Sequence, residues 1–429
     1  MAEIDDVIDL ASRKKPEDAA WQGRLQRSAT GSFLATTANV MTILAHDPAL
    51  AGITGYDEFR GDHVIHRAPP PGQPNDAPAP GPYPRIWGDV DEILVLIHIQ
   101  REYAPKVSLS SVQQAMQSAA ETARYHPVRE WFDTLVWDGK PRIDTWLSAC
   151  FDADDSPFTR AIAARTIIAA VRRIRQPGCK FDTMLILEGA QNIGKSTTIR
   201  AMVPNPGWFS DTIPPDIGGK EAMQSLSGVW IIEFAEIEHL LRAETETIKA
   251  FLSRQTDRYR PPYGRRYIDQ PRQCILIGTT NSTEYLRDET GNRRIWPVRC
   301  KTADPRWMVI NRDQLWAEAA VRERAGEPLW LDDDALIAAA TIAQADRLAG
   351  DAWEDPIRDY VLGMRTVRTV QILENALGFS KDKIQKTHEM RVGKILHGLR
   401  WVRAVQRDGQ VVNRIWRKED RVATQSEND

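Results

Sequence analysis

The stretch Thr183-Met-Leu-Ile-Leu-Glu188-Gly189-Ala-Gln-Asn-Ile-Gly194-Lys195-Ser196-Thr197 constrains this chain more than any other. Gly189 to Ser196 fits G-x-x-x-x-G-K-[ST] without a mismatch. The glycines let the backbone turn tightly, so that successive N–H groups point inward at an anion. Lys195 is placed to neutralise β- and γ-phosphates, and the Ser196 hydroxyl to ligate Mg²⁺. Gly189, Asn192, Gly194, Lys195, Ser196 and Thr197 form the expected ATP-binding set. The apolar run 183–188 before the loop reads as a buried strand, and 195–202 after it as the start of a helix, whose N-terminus favours phosphate charge.

Such a loop needs a metal and water partner on a neighbouring strand. Val-Trp-Ile-Ile-Glu-Phe-Ala-Glu-Ile-Glu (229–238) is an apolar run ending in Glu233 and Glu236, with Glu238 as a third candidate. One carboxylate would hold Mg²⁺ beside Ser196, with Glu233 taken as that ligand, and another would orient the attacking water. A second apolar run, 273–279, ends in Thr-Thr-Asn, which places Asn281 at a strand terminus where it can sense the γ-phosphate or the water. Leu286 to Val298 carries Arg293 and Arg294 just past a Gly-Asn turn. One of the two is expected to act as an arginine finger supplied by a neighbouring subunit. The three apolar runs, separated by helical or polar stretches, have the rhythm of a parallel α/β sheet.

A net charge of −3 means that any nucleic-acid surface is local. Two segments qualify. Ser253 to Arg272 holds six arginines, two acids and three tyrosines, a mixture suited to phosphate contact and base stacking. Its alternation predicts a β-hairpin presenting Arg258, Arg260, Tyr263, Arg265 and Arg266. Residues 354–418 hold 14 Lys/Arg against 7 Asp/Glu, an excess of +7 that marks a site for a polyanion. The pattern there is helix (354–363), short helix (369–377), helix (387–398), then two short strands around Asp408-Gly409, which reads as a winged helix-turn-helix. Arg391 and Lys394 face DNA in this reading, Val392, Ile395, Leu396 and Leu399 face the core, and Arg403, Arg407, Arg414 and Arg417 sit on the wing.

The expected organisation is a mainly helical region over 1–177, an ATPase domain over 178–350, and a winged-helix domain with a disordered tail over 351–429. Residues 31–62 read as mainly helical, 1–28 as poorly ordered, and 68–84, with eight prolines in seventeen residues, as a stiff loop. Helices are also expected over 89–104, 109–124, 157–177, 313–325 and 332–350. Most of the 14 tryptophans are expected to be core and interface anchors. His63, His66 and His126 are isolated and read as structural. Four scattered cysteines without C-x-x-C argue against a zinc ribbon or disulfide framework and fit a reducing cytoplasm. No apolar stretch is long enough to span a bilayer, and the N-terminus is too charged for a signal peptide.

In their order, the 189–196 loop, the acidic strand, the basic hairpin segment and the Asn-terminated strand resemble superfamily 3 helicases. More narrowly, Tyr125–Leu147, Pro177–Thr197, Ala235–Arg266 and Gly278–Val298 resemble the virulence-associated protein E family of phage and prophage ATPases. The resemblance runs from about residue 100 to about residue 330. It implies an α/β fold with an AAA+-like P-loop sheet, a helical N-terminal region and a C-terminal winged helix. It further implies an ATP- and Mg²⁺-dependent replicative helicase of a mobile element, acting on single-stranded or forked DNA in the bacterial host cytoplasm as a hexameric ring without membrane contact. The competing expectation is an ATP-gated origin-binding or melting protein, or a winged-helix regulator, without processive unwinding.

Overall fold

A computed structural model of the chain describes residues 20–73, 81–212, 214, 216–238, 241, 245–260, 267–286, 292–348, 352–408 and 411–418. The chain divides into two compact units, one comprising 1–283 with 290–344, the other 284–289 with 345–429. The expectations for 1–19, for the prolines within 74–80 and for the tail 419–429 lie outside the described residues.

The first unit begins with α1 (Thr37–His46), β1 (Thr54–Asp57), β2 (Asp62–Ile65), β3 (Arg85–Ile86), α2 (Asp89–Glu102), α3 (Leu109–Thr122) and β4 (Arg124–Tyr125). The four strands form one sheet in the order β3-β2-β1-β4. This corrects the reading of 31–62 as mainly helical. Asp47 adopts extended backbone angles and accepts the Ala49 N–H on its own carboxylate, a local bond that competes with continued helix. Beyond it Ile53, Val64 and Ile65 are buried around a turn at Gly61, whose φ of +69° suits glycine. Helix starts obey local chemistry: Thr36 accepts from the Asn39 N–H and Ser108 from the Ser111 N–H.

Helices α4 (Pro127–Thr134), α5 (Trp146–Phe151) and α6 (Pro157–Arg175) lead into the second sheet of the unit. Its strands are β5 (Met184–Glu188), β6 (Phe209–Ser210), β7 (Ile231–Phe234), β10 (Ile275–Thr280) and β11 (Ile295–Arg299), with α7 (Lys195–Arg200) directly after β5. All pairings are parallel, in the order β11-β5-β10-β7-β6. Ile277 of β10 lies opposite both Leu185 of β5 and Glu233 of β7. Every residue of β5, β7 and β10 is buried, which is why their sequences read as mainly apolar runs, interrupted by Glu188, Glu233, Thr279 and Thr280 towards their ends. Strand β11 escaped the sequence reading because Pro297 interrupts it. An edge strand tolerates proline, since one side of its backbone has no partner strand.

The sheet's core is rich in tryptophan. The rings of Trp230 and Trp316 lie 4.2 Å apart, and their indole N–H groups donate to Ala170 O (3.0 Å) and Met202 O (2.7 Å). Large rings thus fill volume without orphaning a donor. Trp316 belongs to α8 (Pro305–Arg324), which starts eight residues before the expected 313, because Asp304 caps it by accepting the Trp307 N–H and Pro305 occupies its first turn. Between β7 and β10, α9 (Thr245–Ser253) precedes an antiparallel hairpin, β8 (Thr256–Tyr259) with β9 (Ile268–Pro271). Helix α10 (Asp334–Ala345) closes the unit.

The second unit contains α11 (Glu354–Val361), β12 (Thr366–Val367), α12 (Thr369–Asn375), α13 (Lys386–Gly398), β13 (Trp401–Asp408) and β14 (Val411–Lys418). Its sheet has the order β12-β14-β13, all antiparallel, over a core that includes Ile357, Ile372, Leu396, Trp401 and Trp416. Leu286 bridges Leu348 within the same unit. Among the described residues no helix is long and apolar enough to cross a membrane.

Candidate nucleotide site and basic surfaces

Parallel strands deliver the residues that follow them to one edge of the sheet. At that edge a cavity of about 360 Å³ is lined by Asn192, Gly194, Lys195, Ser196 and Thr197 from the loop after β5, by Ala235 and Glu236 after β7, and by Thr279, Thr280 and Asn281 at the end of β10. The loop geometry requires its glycines. A Cβ on Gly189 would lie 2.6 Å from Cys300 O, and Gly194 sits at φ +99°. Asn192 also occupies the left-handed region at φ +63°, which asparagine tolerates better than most residues.

Lys195 is buried, and its Nζ donates to Gly189 O (2.7 Å), Ala190 O (2.9 Å) and Asn281 Oδ1 (3.3 Å). Burial lowers its pKa from the ordinary lysine value, because desolvation disfavours the cation. Ser196 Oγ donates to Glu233 Oε1 at 2.6 Å, and Thr279 Oγ1 donates to the same oxygen at 2.8 Å. Glu233 is fully buried, and its other oxygen, Oε2, has no hydrogen-bond partner among the described residues. Three strands therefore bring Lys195 onto Asn281 and, one residue on, Ser196 onto Glu233.

The three acidic candidates separate in space. Glu236 is exposed, lines the cavity and has φ +50° in the turn after β7. Glu238 is buried and does not line it. Sequence reasoning passed over Thr279, which fixes one Glu233 oxygen. The available signal was a hydroxyl inside an otherwise apolar strand.

Arg293 and Arg294 stand elsewhere. They immediately precede β11, whose Ile295 pairs with Met184 at the start of β5. Six residues of strand at about 3.3 Å each put them about 20 Å from Gly189, at the opposite edge of the sheet. That is beyond the reach of an arginine side chain in the same chain. They line a second cavity, of about 560 Å³, with Lys180, Trp296 and Trp330. The two arginines also differ. Arg293 is exposed, whereas Arg294 Nε donates to Ser253 Oγ (3.1 Å) and lies 3.3 Å from Asp182 Oδ2.

On the hairpin, Arg258 is exposed, 3.7 Å from Asp269, with its guanidinium 5.9 Å from the Tyr267 ring centroid. Arg260 is also exposed, and Tyr263, Arg265 and Arg266 lie outside the described residues. The hairpin base is fixed by a buried ion pair: Arg272 donates to Asp257 through Nε (2.7 Å) and Nη2 (3.0 Å). In the second unit, Val392, Ile395 and Leu396 of α13 are buried while Arg391 and Lys394 are exposed. The Arg391 guanidinium sits 4.0 Å from the Trp353 ring centroid and that of Arg403 5.2 Å from Trp416. Arg414 and Arg417 are exposed on β14, and the Arg407 side chain lies outside the described residues. His126 is buried with Nε2 2.7 Å from Gln273 Oε1, a structural contact.

A family model described as a virulence-associated protein E-like domain matches residues 132–347. The A form apo structure of NrS-1 C terminal region (305–718) is similar at 13% identity and TM-score 0.48, covering 90% of this chain and 100% of that one. A further apo structure of that region is similar at 12% identity and TM-score 0.47, covering 85% of this chain and 96% of that one. The X-ray structure of JCV helicase is similar at 12% identity and TM-score 0.28, covering 62% of this chain and 82% of that one. No curated protein matches.

Proposed function

The chain belongs to the virulence-associated protein E-like family, and on that premise we propose that it is an ATP-driven DNA translocase or helicase of superfamily 3 type, serving replication of a phage or other mobile element. The observation that carries this reading is the pairing of Lys195 with Asn281 on the wall of one cavity, next to Ser196 and Thr279, which line the same cavity and both donate to the buried Glu233. A buried carboxylate oxygen without a partner, as at Glu233 Oε2, is costly unless a cation completes it. The residues therefore fit a magnesium nucleotide, with Ser196 Oγ and Glu233 holding the metal. When bound, Mg²⁺ neutralises charge developing on the transferred phosphoryl group.

The remaining work falls to the chain itself. The Lys195 ammonium exchanges the Gly189 and Ala190 carbonyls for phosphate oxygens, and the Gly189–Thr197 backbone cradles them. Thr279 holds Glu233 in place. Glu236, at the cavity mouth, orients the attacking water, and Asn281 hydrogen-bonds the water or the γ-phosphate. Arg293 acts on the nucleotide of a neighbouring copy, since its own loop is out of reach. That requirement supports a ring, read as hexameric. The β8–β9 hairpin and the second unit, read as a winged helix, contact DNA, the latter through Arg391, Lys394, Arg403 and Arg414.

The test is steady-state ATP hydrolysis with and without single-stranded DNA across protein concentration. The rate per subunit rises with both, and Lys195→Ala abolishes it while DNA binding persists. Retained turnover in that variant removes the site assignment. DNA-stimulated turnover without strand displacement over tens of base pairs favours an origin-melting protein instead.

A further inference from the structure

The two arginines before β11 are adjacent in sequence but differently engaged, and the difference points to a division of labour. Arg294 joins three segments: its own strand start, Asp182 just before β5, and Ser253, the last residue of α9. Ser253 is itself fixed, its Oγ donating to Lys249 O at 2.8 Å. From Ser253 the chain runs directly into the hairpin. Arg254 lies 3.3 Å from Asp257 of β8, and Asp257 holds Arg272 at the end of β9 in a pair with only 2% of either side chain exposed. Arg272 also donates to Phe251 O in α9 and packs 4.2 Å from the Phe251 ring centroid. Helix α9 and the hairpin base are thus joined through Arg272 into one packed block, and Arg294 contacts its end at Ser253.

We propose that Arg294 is a positioning residue, transmitting the state of the β8–β9 hairpin to its exposed neighbour Arg293 through Ser253 and Asp182. The inference rests on the functional reading above, in which the hairpin meets DNA and Arg293 meets a neighbouring nucleotide. A strand drawn across the hairpin loads the α9 block. The clasp carries that load to the turn that sets the Arg293 guanidinium. Displacements of about 1 Å at a catalytic group can change rates about 10²-fold, so a short lever of one hydrogen bond and one ion pair suffices. Nothing in this route passes through the phosphate loop.

The test uses the full chain carrying Asp182→Ala with Ser253→Ala, and separately Ser253→Thr. Two quantities are read: the ratio of DNA-stimulated to unstimulated ATP turnover, and amide hydrogen exchange over β8 and β9. The double variant keeps unstimulated turnover and DNA affinity within about twofold of wild type, loses at least fivefold in the stimulation ratio, and exchanges faster in the hairpin. Ser253→Thr, which retains the hydroxyl, keeps the ratio. An unchanged ratio in the double variant overturns the inference. So does Arg294→Ala matching Arg293→Ala in lost unstimulated turnover while the double variant is silent, since Arg294 is then itself the finger. If wild type shows no DNA stimulation, the functional reading fails, and transmission to hydrolysis fails with it. Exchange over β8 and β9 then decides whether the clasp itself holds the hairpin.

Discussion

The two edges of the parallel sheet carry charge in opposite ways. At the edge where β5, β7 and β10 end, a buried carboxylate keeps one oxygen without a partner among the described residues, and a buried lysine holds its own loop's carbonyls and an asparagine oxygen. At the edge where β11 begins, Arg294 meets Asp182 and Ser253, and Arg272 meets Asp257. At the first edge the unpartnered carboxylate oxygen belongs to a residue held by Ser196 and Thr279, both of which line the cavity. At the second, the charged groups Arg294 and Arg272 are paired internally, while Arg293 is exposed and the buried Thr183 hydroxyl has no hydrogen-bond partner among the described residues. One edge gathers polar groups around a cavity, and the other ties the start of β11 to α9 and the hairpin base.

Substitutions can break that comparison at either edge. The largest effect is expected for Arg293→Ala, which lowers turnover by about 10³-fold or more, as for loss of an arginine finger. Mixing it with Lys195→Ala protein should restore part of the activity, because each variant supplies what the other lacks; absence of restoration places Arg293 outside a shared site. Asp257→Ala leaves Arg272 buried without its counter-charge and destabilises the fold by about 3–5 kcal/mol, read by denaturant unfolding. A loss below about 1 kcal/mol would show that Phe251 alone holds Arg272.

Thr279→Val removes one donor from Glu233 without changing shape much. It should lower unfolding stability by about 1.5–3 kcal/mol, the worth of one hydrogen bond to a charged group, and weaken Mg²⁺-dependent nucleotide binding as Glu233 loses its fixed position; unchanged stability and binding would show that Ser196 alone holds Glu233. The smallest effect concerns His126, whose pKa is lowered from 6.5 chiefly by burial, which disfavours the imidazolium. The unfolded chain binds the proton more readily, so the neutral ring's stabilisation is full above about pH 6.5 and declines as pH falls below it. Stability measured between pH 7.5 and 5 should fall less steeply in His126→Gln; an identical slope would assign the acid sensitivity to other groups.

The legible parts of this molecule are those in which local pattern and final environment agree. Met184 to Glu188 is an apolar run because β5 is covered on both faces. Gly189 and Gly194 are glycines because of close approach and positive φ. The hairpin over 256–271 followed from its alternation and its turn residues. The strands at 54–65 were obscured because they are four residues long, with Gly55 inside β1, and too short to show a clear period. Strand β11 was obscured by Pro297, whose position at an edge no local pattern discloses.

Sequence by itself determined the glycine-bounded loop after β5, the apolar strands and the basic segments, since each is set by residue types at fixed spacing along the backbone. Only the tertiary structure decided which polar groups meet. It placed Thr279 on Glu233, left Glu238 away from the cavity, and divided Arg293 from Arg294 by giving one of them Ser253 and Asp182. The reason is physical. Parallel pairing joins residues 46 to 86 positions apart through the register of neighbouring strands, a long-range relation that no window along the chain contains.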